Sequence, residues 1–163
     1  MQSKLHIGTK LILAQAMTHL QYNEYRGWEL PEDENGEDAG FLVEYVDGGK
    51  SNHPDHKGYI SWSPKEVFNN FYKSSGEMSF GMAVEAARQG YKVARAGWNG
   101  AGMFAYIVPA NSYPAQTEMI EGIFENDMVP YREYLALKTA QNDVAMWSPS
   151  GSDSLANDWV IVD

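Results

Sequence analysis

The sequence predicts an α+β protein in two parts: a small α+β unit over residues 1–73, then a mostly antiparallel sheet with one packed helix over residues 78–163. Three observations carry that reading. Apolar residues alternate in short runs bounded by Gly, Asn and Asp, the pattern of strands joined by turns. Other segments repeat apolar residues at helical spacing behind a Ser or Thr. Between them Lys73 to Glu77 reads KSSGE, small and polar, where the texture of the chain changes. Residues 1–73 hold 7 basic and 11 acidic side chains and residues 74–163 hold 5 and 11, so pattern and not charge sets the boundary.

In the first part Lys10 to Met17 reads as a strand, and Thr18 to Trp28 as a short helix started by Thr18. PEDENGEDAG, residues 31–40, packs five acids among ten residues and is expected to be a solvated loop. Asp33, Asn35 and Glu37 have the spacing of a calcium loop, but no glutamate follows at the twelfth position, so calcium is not expected. GFLVEYVDGG and GYISWSP read as paired strands with KSNHPDHK between them. Ser63-Pro64 then opens a helix with Pro at its first position, showing Val67, Phe68, Phe71 and Tyr72 on one face.

The second part opens with a helix capped by Ser79, turning Phe80, Ala83, Val84 and Ala87 to the core and stopping at Gly90. YKVARAGW and Met103 to Val108 are expected to form a hairpin about an Asn99-Gly100 turn. TEMIEGIFEND suggests a short amphipathic helix through Met119, Ile120, Ile123 and Phe124. Tyr134 to Thr139, Val144 to Trp147 and Trp159 to Val162 read as closing strands, with Gln141-Asn142-Asp143 as the turn between the first two.

Composition removes several function classes. Of 163 residues 44% are hydrophobic, enough for a buried core, and none is cysteine, which excludes disulfides, thiolate metal sites and cysteine nucleophiles. Twelve basic against 22 acidic residues give a net charge of -10, which argues against a duplex nucleic-acid partner. No apolar run approaches the roughly 20 residues of a membrane-spanning helix. The opening MQSKLHIGTKLILAQAM also lacks a cleavage site, so a soluble intracellular protein with no membrane partner is expected.

His53 and His56 flank Pro54-Asp55, and with Asp47 or Asp55 they offer metal-ligand chemistry. Loop polarity explains them equally, Pro54 forbids the helical HExxH arrangement, and neither a metal nor a cofactor is expected. The second part has no histidine, so acid-base catalysis there would fall to Asp143, Asp153 and Asp158. Asp143 belongs to a turn. Asp158 either orients a ligand amide or hydroxyl, accepts a backbone bond, or meets an Arg. No catalytic residue is assigned. The glycines about Trp98 match neither a phosphate loop nor the dinucleotide fingerprint. Trp98 is either a core aromatic beside a turn or an indole exposed for stacking on a flat base next to unpaired backbone donors. Trp147, followed by Ser148, Ser150 and Ser152, carries the same two readings with hydroxyls suited to phosphate or ribose. Trp159 alternates with Ile161 and reads as core.

MSFGMAVEAARQGYKVARAGWNGAGMF, YLALKT and MWSPSGSDSLANDWVIVD resemble, in order and spacing, the Thoeris anti-defence type-two family of bacteriophages over residues 78–163. The resemblance implies a non-enzymatic sponge that binds the cyclic ADP-ribose signal (glycocyclic ADP-ribose) of the host's Thoeris sensor, and in some members cyclic oligonucleotides. It further implies a homotetramer with nucleotide pockets between subunits, acting in the host bacterial cytoplasm. It places Trp98 against the adenine, with Asn157 and Asp158 bonding base or ribose and Trp147, Asn99 and Asp153 nearby; Arg95, which alternates with Val93 before the GW step, either faces a phosphate or makes a solvent salt bridge. The segment of residues 1–73 is similar to one of unknown role in other phage proteins. The competing reading is an acidic DNA mimic that captures a host defence enzyme, resting on the charge of -10 and the 31–40 loop.

Overall fold

Strand β2 (Gly40–Tyr45) is apolar on both faces, and that places it between two others. In the computed structural model, which describes residues 4–163, it pairs antiparallel with β1 (Ile12–Ala16) and β3 (Tyr59–Pro64). The register sets Leu42 opposite Trp62 and Glu44 opposite Ile60. On that face Leu42 and Ile60 pack with Tyr22 of helix α1 (His19–Arg26). Phe41 instead stacks at 4.0 Å on Phe68 of helix α2 (Lys65–Phe71). Thr18 and Gln21 form a reciprocal capping box at the start of α1, and Gly27 at φ 69° ends it. Pro64 is the last residue of β3 and precedes the first turn of α2, one position earlier than the sequence suggests. The long connection between β2 and β3 is fastened by Asn52, whose side chain exchanges two hydrogen bonds with the main chain of Ile60.

The chain passes to a second compact unit between Lys73 and Ser74. Helix α3 (Phe80–Arg88), capped by Ser79, buries Ala83, Ala86 and Ala87. These small side chains bring the helix close to a five-stranded antiparallel sheet ordered β10 (Trp159–Val162), β4 (Lys92–Arg95), β5 (Phe104–Val108), β8 (Tyr134–Lys138), β9 (Val144–Met146). Met78, Val93, Ala105 and Trp159 complete the core. The architecture is α+β with mostly antiparallel sheet. Among the described residues no helix is long and apolar enough to cross a membrane.

Two further local expectations are corrected, and one unforeseen element appears. β4 and β5 are not joined by a two-residue Asn99-Gly100 turn: residues 96–103 connect them, and the left-handed residue is Gly102 at φ 66°. Residues 118–127 form two single turns of 3-10 helix and no amphipathic helix, because Met119 and Ile123 remain 88% and 65% exposed and have no apolar surface to bury against. Gly122, Asn126 and Asp127 also take positive φ there. The flanking segments pair as a two-stranded ribbon, β6 (Asn111–Pro114) with β7 (Met128–Tyr131). Finally, a one-turn helix α4 (Gly151–Ser154) precedes β10.

Gly58 closes the β2–β3 connection where a Cβ would lie 2.0 Å from the Tyr45 carbonyl oxygen. That oxygen belongs to the sheet and cannot swing aside. Gly58→Ala is expected to destabilise the first unit by about 1–3 kcal/mol, read from urea unfolding.

Candidate functional site

Arg95 ends β4 directly opposite Trp159 of β10, so the two side chains share one face of the sheet. Ser150 starts α4: its hydroxyl accepts from the Asp153 N–H at 3.1 Å, while the Asp153 carboxylate accepts from the Ser150 N–H and hydroxyl at 3.2 and 2.6 Å. Asp153 Oδ1 also accepts from Arg95 Nη1 at 2.9 Å and from the indole Nε1 of Trp98 at 3.3 Å. The Asp153 carbonyl accepts from Trp159 Nε1 at 3.1 Å. Asp158 takes Arg95 in a fork, from Nε at 2.8 Å and Nη2 at 3.3 Å, and accepts the Gly97 N–H at 3.0 Å. The guanidinium therefore bridges two carboxylates, each fixed by the main chain of a neighbouring turn.

These contacts set the protonation states. Burial pushes Asp153 up, but its hydrogen bonds from Ser150, Arg95 and Trp98 together outweigh it and hold the carboxyl at about 2. The Arg95 hydrogen bonds hold Asp158 below the ordinary carboxylate range, and the two carboxylates raise Arg95 in return, Asp158 foremost. Two anions and one cation leave the trio at -1.

Beside it lies an aromatic cluster. Trp159 is fully buried. Trp98 meets it edge-on at 5.5 Å and 76° and meets Trp147 at 5.7 Å and 84°. Trp147 and Phe80 stand 6.2 and 5.3 Å from Trp159. Trp98 and Trp147 are half-buried, so each presents part of its ring outward from a braced position. The Trp98 indole therefore belongs to the margin of the core and keeps an exposed portion.

The structure gathers Arg95, Trp98, Trp147, Asp153 and Asp158 into one cluster. Asn99 and Asn157 sit exposed beside it in sequence, and neither side chain hydrogen-bonds another described residue. The backbone donors around Trp98 are not all unpaired as expected, since the Gly97 and Trp98 N–H groups bond Asp158 and the Arg95 carbonyl. The Ser150 hydroxyl, read from sequence as a phosphate or ribose contact, instead caps α4 and also lies 2.9 Å from the Ser152 hydroxyl. The Ser-x-x-Asp spacing of 150–153 is a capping-box signal that could have found α4. Two grooves of this unit lie elsewhere. One of about 390 Å³ includes Tyr91, Lys92, Phe104 and Lys138, and one of about 350 Å³ includes Tyr113, Tyr131 and Tyr134. Among the described residues no group of three His, Asp or Glu is placed to hold a metal ion.

Comparison with known proteins bears on this unit. The family model described as Thoeris anti-defense 2-like domain matches residues 78–162. Thoeris anti-defense 2 of Bacillus phage SP01 is 38% identical over 86 residues, covering 53% of this chain and 96% of that protein.

Folded Asp153 binds its proton more weakly than the unfolded carboxyl with its ordinary 3.8, so its contribution is whole above that value and is lost as pH falls toward about 2. Asp153→Asn is expected to lower stability by about 1.5–3 kcal/mol at neutral pH, the loss of hydrogen bonds to a charged group. It should also flatten the decline of stability across that acid window. Urea unfolding at a series of pH values reads both, and an unchanged acid slope in the variant would remove Asp153 as its source.

Proposed function

The chain belongs to the Thoeris anti-defense 2-like family, and from that premise we propose that it protects a bacteriophage from Thoeris immunity by binding a cyclic ADP-ribose signal, glycocyclic ADP-ribose, and withholding it unchanged. The observation that carries the reading is the family match over residues 78–162, the stretch that contains the whole tryptophan and aspartate cluster.

The geometry supports it in three respects. Trp98 offers a flat surface held by Asp153 and by two perpendicular indoles, so stacking a base costs little further ordering. Asn99 and Asn157 supply amides for base or ribose edges. Arg95 is already committed to Asp153 and Asp158, so its part is to position those carboxylates, and phosphates are left to main-chain N–H groups and hydroxyls other than those of Gly97, Trp98 and Ser150, which are engaged within the cluster. Neither groove described above is lined by Trp98, Asp153 or Asp158. A second copy facing that cluster would close a pocket over it, as in a homotetramer with sites between subunits. Withholding a signal requires slow release and no turnover, so no nucleophile is needed at this cluster.

Titration calorimetry with glycocyclic ADP-ribose tests the proposal. The native chain is expected to bind, to return intact ligand after heat denaturation, and to run as a tetramer by native mass spectrometry. Trp98→Ala should weaken binding roughly 10- to 100-fold, since a stacked base contributes about 1–3 kcal/mol. A folded native chain that gives no heat with this ligand would overturn the assignment; cleaved ligand would overturn sequestration.

A further inference from the structure

The first unit contains a hydroxyl, an imidazole and a carboxylate in series. The Tyr25 hydroxyl lies 3.0 Å from His56 Nε2, and His56 Nδ1 lies 2.8 Å from Glu44 Oε2. The other Glu44 oxygen accepts the Lys57 and Gly58 N–H groups at 3.0 and 2.9 Å, so the carboxylate is fixed in place. A carboxylate at Nδ1 selects the tautomer protonated there and leaves the Nε2 lone pair to take the phenolic proton. Stacking on His53 at 4.5 Å and 23° holds the Tyr25 ring. Exposure is graded along the series: Tyr25 is 37% exposed, while the His56 and Glu44 side chains are 17% and 14% exposed. A reachable nucleophile, a shielded base and an anchored orienting group are the parts an activated hydroxyl requires.

We propose that Tyr25 is a nucleophilic tyrosine, activated by His56 and oriented through Glu44, and that it accepts groups from uncharged acyl-type electrophiles. The class follows from local charge: Glu44 stands behind His56 and Asp55 lies 3.9 Å from His53, whose ring stacks on Tyr25, and among the described residues no Lys or Arg side chain pairs with this series to hold a phosphoryl group. In the step, Tyr25 Oη bonds the carbonyl carbon and its proton passes to His56 Nε2. The leaving group departs with the electron pair of the broken bond. None of these residues belongs to the tryptophan cluster, so failure here leaves the anti-defence reading standing.

The test is p-nitrophenyl acetate on the full chain, with acetylated residues located by peptide mass mapping and p-nitrophenolate release followed in parallel. Tyr59 and Tyr91 are 47% and 44% exposed and serve as internal controls. Tyr25 is expected to be acetylated at least about tenfold faster than either, a lower bound on the gain from a positioned base. His56→Gln and Glu44→Gln, each verified as folded by circular dichroism, should bring it to the rate of Tyr59. Equal rates for Tyr25 and Tyr59 in the native chain, or an advantage that survives in folded His56→Gln, would overturn the proposal. Transfer from p-nitrophenyl phosphate as fast as from the acetate would overturn the acyl class.

Discussion

The second unit depends on one hydrogen bond, from the buried indole N–H of Trp159 to the main-chain carbonyl of Asp153. The alanines of α3 and Ala105 of β5 leave space that only a large side chain fills, and Trp159 fills it. Burying an indole leaves its polar N–H to be satisfied, and an unpaired donor there costs about 1–3 kcal/mol. The Asp153 carbonyl satisfies it and in doing so holds α4 against the end of the sheet. Once α4 is held, the Asp153 carboxylate faces Arg95 and Trp98, and Arg95 then fixes Asp158 and the turn at Gly97. Core packing and site geometry are therefore one linked arrangement.

That linkage shapes what the cluster can recognise. A guanidinium facing solvent would draw in anions of many kinds. Held between two aspartates, Arg95 attracts them weakly, and under the proposed function discrimination would pass to shape, stacking and amide hydrogen bonds. The acidity of the whole chain points the same way, since a net charge of -10 supplies no long-range attraction for anions.

The sequence made much of this legible where the signal is local. Thr18 and Ser79 mark helix starts by spacing alone, Gly90 takes positive φ just past a helix end, and the alternation in Tyr134 to Thr139 and Trp159 to Val162 gives strands whose partners are then few; α1, read through Trp28, instead stops at Arg26 where Gly27 turns left-handed. Trp159 reads as core because it alternates with Ile161. Less legible was whatever depends on what lies opposite. Met119, Ile120, Ile123 and Phe124 have helical spacing, yet Met119 and Ile123 stay largely exposed, and propensity without burial does not hold a helix. The Arg95 fork to Asp158 spans 63 residues of chain, and the relay from Tyr25 through His56 to Glu44 links α1, the long connection and β2. Spacing along the chain carries no trace of such contacts, and the pair of histidines about Pro54-Asp55 looked like ordinary loop polarity for that reason.

Three of the five tryptophans stand within 6.2 Å of one another, centre to centre, at angles between 60° and 84°. The rings pack edge-on, so a disturbance at any one of them alters the surroundings of the other two. The carboxylate at the Trp98 N–H joins that group to Asp153, so the margin of the core and the charge beside it form a single environment for three intrinsic ultraviolet absorbers.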